Sequence, residues 1–364
     1  MMLSALPAAL LLLATLPHHA LGAAHSGRED PTVPNTLHRI FGSVVDPDAG
    51  TVEPQGDGVM ARQPMRVINV GLPRTGTSSF VEAMSQLGLR SYHMKDGVQD
   101  TPGHASLWVA HAKLWNGKAS DWNDASMADS REALFDRLAE DGFSATADMP
   151  MNAFAKDLSA RYPDAALVLT EHHSGDPKKW AASVLETIGQ NGQLFRKRPF
   201  TWIPFIQGFL VMEEWAWAGL GISKESDHSL DPSKLETLYT RWNEDVARYL
   251  ESQGRKVLRF KATDGWGPLC DFLSSALNDV SITDQCDAIV GSGVAFPKSN
   301  TELRTVYAVM TGISAFFELP LPIVALIALV LLALVCKGCG YCVGVCSSCV
   351  GKNGNQEEEE QKED

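Results

Sequence analysis

The stretch Gly71-Leu72-Pro73-Arg74-Thr75-Gly76-Thr77-Ser78-Ser79 sets glycines, one arginine and four hydroxyls directly behind an apolar run. Glycines let backbone N–H groups converge on an anion, and a helix opening behind them adds its positive end, so this is the composition of a phosphate cradle. The spacing Gly71-x4-Gly76-x-Ser78 follows the P-loop pattern except at Thr77, which stands where a nucleoside triphosphatase has lysine. That lysine serves the β- and γ-phosphates, so its absence disfavours a kinase-like use of ATP or GTP. The charge sits instead inside the loop, on Arg74. A dinucleotide fingerprint is excluded as well, because G-x-G-x-x-G is not the spacing found here.

Such a loop needs a strand in front of it and a helix behind it. The apolar periodicity predicts strands over 67–71, 142–147, 165–170 and 257–260. Between them it predicts helices over 77–87, 151–161, 176–188 and 232–252, with a further helix opening near Trp266. Alternation of this kind predicts an α/β fold, a parallel sheet flanked by helices on both faces. Ligands in such folds sit beyond the carboxyl ends of the strands, so the chemistry is expected in the loops that follow them.

The whole chain has 364 residues, 31 basic against 44 acidic side chains and a formal charge of −13. That balance argues against nucleic acid as a partner. The last nine residues hold six of the acids and one lysine. At the other end, an apolar stretch over 3–16 followed by Pro17 and Ala20-Leu21-Gly22 predicts a signal peptide over 1–22. Residues 319–336 form an eighteen-residue run without charge. With the residues before it, this run predicts a transmembrane helix over 313–336. The expected organisation is then a linker over 23–64, a globular domain over 65–301, the anchor, and a Cys-rich, then acidic cytosolic tail over 337–364. It describes a single-pass type I membrane protein of the secretory pathway, at the Golgi or the cell surface. The juxtamembrane cysteines from Cys336 to Cys349 are candidates for S-palmitoylation. Cys270 and Cys286 either pair or are each buried as small apolar residues.

The loop, taken with several other stretches, resembles the sulfotransferase superfamily, whose P-loop nucleoside triphosphatase-like fold carries a P-R-T-G-T or P-K-x-G-T loop after the first strand. More closely it resembles the sulfotransferase-like branch of fungi, plants and algae. The resemblance rests on VINVGLPRTGTSSF, on Tyr92-His93-Met94, and on Ala147-Asp148-Met149-Pro150. It continues in Asp176-Pro177-Lys178-Lys179-Trp180, in the segment from Asp264-Gly265-Trp266 to Phe272-Leu273, and in Phe296-Pro297-x-x-Asn300.

This resemblance implies a transferase that passes a sulfuryl group from 3′-phosphoadenosine 5′-phosphosulfate to a hydroxyl of a carbohydrate, lipid or small metabolite, without a metal. It implies that Pro73, Arg74, Thr75, Gly76, Thr77, Ser78 and Ser79 hold the 5′ side of the donor. Asp148 falls where cytosolic sulfotransferases place a histidine base, and His93 is the reserve candidate. Ser183 matches the family serine for the 3′-phosphate, but the arginine expected eight residues before it is Gly175. His172, His173, Lys178 or Lys179 would have to substitute, and a neutral imidazole replaces a guanidinium poorly. The alternative is a catalytically silent nucleotide-binding or scaffolding member of the same fold. Trp202, Phe205, Phe209 and the Trp-rich segment 213–217 are candidates for an acceptor pocket or for ordinary core.

Overall fold

Neighbouring residues of the first strand, β1 (Val67–Asn69), bury on opposite sides of the sheet: Val67 enters one apolar cluster and Ile68 the other. The fourth strand, β4, repeats the pattern, with Ala166 and Val168 on one side and Leu167 and Leu169 on the other. A strand buried on both faces reads as a continuous apolar run, which is how 165–170 looks in the sequence. This computed structural model describes residues 64–115, 117–118, 124–299 and 303–318.

Five parallel strands form one sheet in the order β2-β3-β1-β4-β5. They are β1, β2 (Ser91–Tyr92), β3 (Ala145–Thr146), β4 (Ala166–Thr170) and β5 (Val257–Phe260). The α-helices are α1 (Thr77–Gln86), α2 (His104–Ala112), α3 (Ala128–Glu140), α4 (Ala155–Arg161), α5 (Pro177–Val184) and α6 (Gln190–Phe195). They continue as α7 (Pro204–Gly219), α8 (Pro232–Ser252), α9 (Trp266–Leu277), α10 (Val280–Ser292) and α11 (Leu303–Glu318). Phe80 and Met84 of α1, Leu269 and Leu273 of α9 and Ile282 of α10 fill one face, while Trp108, Trp180, Trp215, Leu235 and Leu250 fill the other. The expected parallel α/β sheet covered on both faces is therefore present.

Local signals set the helix starts. Asp176 and Asp231 each precede a proline at the first helical turn, and each carboxylate accepts a backbone N–H two residues on, at 2.9 and 2.7 Å. Along α8 the residues Leu235, Leu238, Tyr239, Val246 and Leu250 bury as one stripe, and the helix spans 232–252 as its periodicity predicts. Helices α2, α3, α6, α7 and α10 have no counterpart among the expected ones. α2 and α7 pack so closely that a Cβ on Gly208 would lie 2.7 Å from Val109 Cγ1. Cys270 of α9 and Cys286 of α10, left open by the sequence, are disulfide-bonded, with Cα atoms 5.4 Å apart.

The membrane part of the expected fold class is corrected. Among the described residues no helix is long and apolar enough to cross a membrane. The last of them, α11, is described over Leu303–Glu318. This overturns the transmembrane helix expected over 313–336. The single-pass, membrane-inserted, type I protein at the Golgi or cell surface, built on that helix and the signal peptide, falls with it. Of the expected span only residues 313–318 are described, and they belong to α11, which also carries Arg304, Thr305 and Thr311. Residues 319–336 of the expected anchor, the signal peptide at 1–22, most of the linker and the tail at 337–364 lie outside the described residues. The chain divides into two compact units, Met1–Tyr307 and Ala308–Asp364, and the candidate site belongs to the first.

Candidate active site

At the end of β1 the Asn69 side chain organises the turn, its Oδ1 accepting the Gly71 N–H at 2.8 Å and the Thr170 hydroxyl at 3.1 Å. The chain then passes so close to β4 that a Cβ on Gly71 would sit 2.1 Å from Thr170 Oγ1 and 2.5 Å from the Thr170 carbonyl oxygen. Only glycine fits there. The next four carbonyls are each held by a different side chain. Trp242 Nε1 donates to Val70 O at 2.8 Å, Asn152 Nδ2 to Gly71 O at 3.3 Å, Thr75 Oγ1 to Leu72 O at 2.6 Å and Trp180 Nε1 to Pro73 O at 2.8 Å.

A trans peptide aims its N–H opposite its C=O, so with Pro73 O fixed on Trp180 the Arg74 N–H points the other way. Arg74 and Gly76 both take left-handed backbone, at φ 66° and 90°. Gly76 is the N-cap of α1 and supplies no side-chain cap. The first-turn amides of α1 thus lack the usual side-chain acceptor at the positive end of the helix.

The expected donor-binding residues are gathered at this loop, but their side chains do different things. Thr75 is turned inward, 2.7 Å from Thr170 Oγ1, and braces the loop. Ser79 Oγ accepts the Ser299 N–H at 3.2 Å. Ser78 is half-buried in the first turn of α1. Thr77 Oγ1 lies 3.3 Å from His93 Nε2. Arg74 Nε donates to Ser183 Oγ at 3.3 Å, joining the loop to α5.

Two residues weighed as alternatives are in contact: His93 Nε2 is 3.2 Å from Asp148 Oδ2. They follow the adjacent strands β2 and β3, whose register pairs Tyr92 with Thr146. His93 Nδ1 accepts the Lys95 N–H at 3.2 Å, so its lone pair is used and the ring proton of a neutral imidazole sits on Nε2, facing Asp148 and Thr77. Asp148 holds left-handed backbone, φ 69°, which an aspartate adopts at a cost that surrounding structure must offset. Its Oδ1 is buried and accepts no hydrogen bond among the described residues.

His172 is buried on the loop after β4, its Nδ1 2.7 Å from Ser174 Oγ. Burial pushes its imidazole down to about 4, helped by the neighbouring His173, Arg74 and Lys179 and opposed by Asp176. The ring is therefore neutral at physiological pH and brings no positive charge to the site.

The profile of a sulfotransferase domain matches residues 66–304, from the first strand to the start of α11. The chain belongs to the sulfotransferase family. This sulfotransferase-family chain is also similar to Ava biosynthesis cluster protein M of Aspergillus versicolor, with 28% identity over 222 residues, 57% of this chain and 76% of that protein.

Of the aromatics considered for an acceptor pocket in this sulfotransferase-family domain, Trp215 and Trp217 are fully buried in the core. Beside them Glu213 and Lys224 form a buried ion pair at 2.8 Å. Phe209 packs against the same cluster, and Trp202 is half-exposed. The side chain of Phe205 lies outside the described residues. Asn69, Asn152, Trp180 and Trp242 escaped the sequence reading as loop supports. For the two tryptophans a signal existed, since a buried indole N–H needs an acceptor, but which carbonyl it finds depends on the fold.

Proposed function

We propose that the chain is a sulfotransferase that transfers a sulfuryl group from 3′-phosphoadenosine 5′-phosphosulfate to a hydroxyl of a small molecule. The Asp148 carboxylate carries this reading. It lies half-buried just after β3, with one oxygen on the His93 N–H and the other without a partner among the described residues, and Thr77 at the uncapped start of α1 touches the same imidazole. An anion cradle next to a base is what group transfer to a hydroxyl requires.

In this reading the loop amides from Arg74 to Thr77 and the Arg74 guanidinium hold the 5′-phosphosulfate and stabilise charge on the leaving phosphate. Asp148 Oδ1 takes the acceptor's hydroxyl proton as the acceptor oxygen bonds to sulfur. The bond from sulfur to the phosphate oxygen breaks, releasing the nucleotide 3′,5′-bisphosphate and a sulfate ester. His93 is a positioning residue: its Nδ1 is occupied by Lys95, so its Nε2–H orients the carboxylate. Thr75 contributes backbone rather than its hydroxyl, whose proton is given to Leu72 O, whereas Ser79 Oγ accepts the Ser299 N–H and keeps its own proton to donate. We place the chain in the fungal, plant and algal branch with the P-R-T-G-T loop, on the ordered motifs from Gly71 to Phe296 and on the Aspergillus relative. That relative's name, a biosynthesis cluster protein, is consistent with a small-molecule acceptor.

The test is incubation of the full chain with radiolabelled donor and a library of small hydroxyl compounds. A labelled sulfate ester formed by the wild type and lost in Arg74→Ala supports the reading. Turnover unchanged in Arg74→Ala overturns the donor's placement, and absence of any product or nucleotide binding overturns the activity.

A further inference from the structure

Gly175 stands where the family pattern expects an arginine, and its backbone is left-handed at φ 65°, a conformation that a long side chain adopts only with strain. The space in front of it is taken by a cation from elsewhere in the chain. A Cβ on Gly175 would lie 3.5 Å from Lys261 Nζ. Lys261 is the first residue after β5, and Glu171 N–H donates to Phe260 O at 2.8 Å, so the loop after β4 and the segment after β5 leave the sheet side by side. The next residue, Ala262, packs against the phosphate loop: a Cβ on Gly76 would be 3.4 Å from the Ala262 Cβ. Lys261 and Ala262 therefore lie between the loop that opens α1 and the loop that carries Gly175.

Two acids nearby have partners other than the Lys261 ammonium. Asp264 Oδ2 accepts the backbone N–H of Lys261 at 2.8 Å, and Glu171 pairs with Arg259 at 3.1 Å. Among the described residues Lys261 makes no ion pair. Lys261 is half-buried, and the two loops it lies between also carry Arg74, held on Ser183, and the neutral His172.

We infer that Lys261 is the cation for the second, 3′ phosphate of the donor nucleotide, in place of the arginine that Gly175 replaces. This rests on the sulfotransferase reading. An ammonium is a compact point charge with rotatable donors, whereas a guanidinium offers a fixed fork. The site thus keeps the charge that selects a nucleotide bisphosphate but relaxes the geometry with which it is held.

The experiment compares binding of 3′-phosphoadenosine 5′-phosphate and adenosine 5′-phosphate to the full chain by calorimetry. The wild type is expected to prefer the bisphosphate. In Lys261→Ala and in the shape-conserving Lys261→Met that preference should fall roughly ten- to hundredfold, the usual loss of a charged hydrogen bond. Affinity for the 5′-monophosphate and the ligand-free melting temperature should stay unchanged, and Lys261→Arg should keep the preference. A wild-type preference that survives in both neutral variants overturns the role of Lys261 alone. A wild type that binds both nucleotides equally also overturns it while leaving the 5′ loop intact. A wild type that binds neither overturns the donor reading itself.

Discussion

The imidazole of His93 offers its Nε2 to Asp148 Oδ2 at 3.2 Å while the Lys95 N–H occupies its Nδ1, so the pair has one direction. The histidine gives a hydrogen bond and the carboxylate receives it. Replacing Asp148 by Asn should lower single-turnover sulfuryl transfer by about 10²- to 10⁴-fold, the usual contribution of a general base, with donor affinity kept. His93→Gln, which can still present an N–H, should lose far less. The pair of rate constants at saturating donor tests this, and equal losses in both variants would reverse the assignment of roles.

Trp180 is fully buried and its Nε1 is the partner of Pro73 O. Trp180→Phe keeps most of the packing and removes the donor, leaving a buried carbonyl unsatisfied at a cost of about 1–3 kcal/mol. Urea denaturation should show that loss. Because the carbonyl belongs to the phosphate loop, nucleotide affinity should weaken in the same variant. A stable variant with wild-type affinity would show that the loop does not need this anchor.

Acid should destabilise the fold in a defined window. His111 is fully buried, with Nδ1 2.9 Å from Ser130 Oγ and Nε2 without a hydrogen-bond partner among the described residues. Burial first, then the charge of Arg131, pushes it down to about 4 from its ordinary 6.5. Between those values the unfolded chain binds the proton and the folded chain does not, so stability rises with pH across the window and is lost as pH falls toward 4. His172 acts in the same sense. Melting temperatures measured from pH 7 to pH 4 should fall, and His111→Gln should flatten the slope.

Cys270 and Cys286 tie α9 to α10 across a sequence separation of 16. Closing a loop of that length contributes about 3 kcal/mol in the chain-entropy account. Cys286→Ser, or reductant on the wild type, should lower the denaturation midpoint by a corresponding amount, with no further effect of reductant on the variant.

Local chemistry determined much of this protein without help from its tertiary structure. The Asp-Pro starts of α5 and α8, the apolar stripe of α8 and the continuous apolar run of β4 act within a few residues of one another, and each is legible where it stands. The glycines and hydroxyls of residues 71–79 likewise announce an anion loop. What the tertiary structure decided are the relations between distant residues. His93 and Asp148 meet because β2 and β3 are parallel neighbours in a given register. Lys261 reaches Gly175 because β5 lies beside β4, and the carbonyls of the loop find Trp180, Asn152 and Trp242 across the core. Helices α2 and α7 bury against each other and the core, so the amphipathic stripe that reveals a surface helix is weak in both. The membrane expectation failed for a related reason. Hydropathy counts residues along the chain, whereas a span needs a single helix both long and apolar enough, and none of the described helices is.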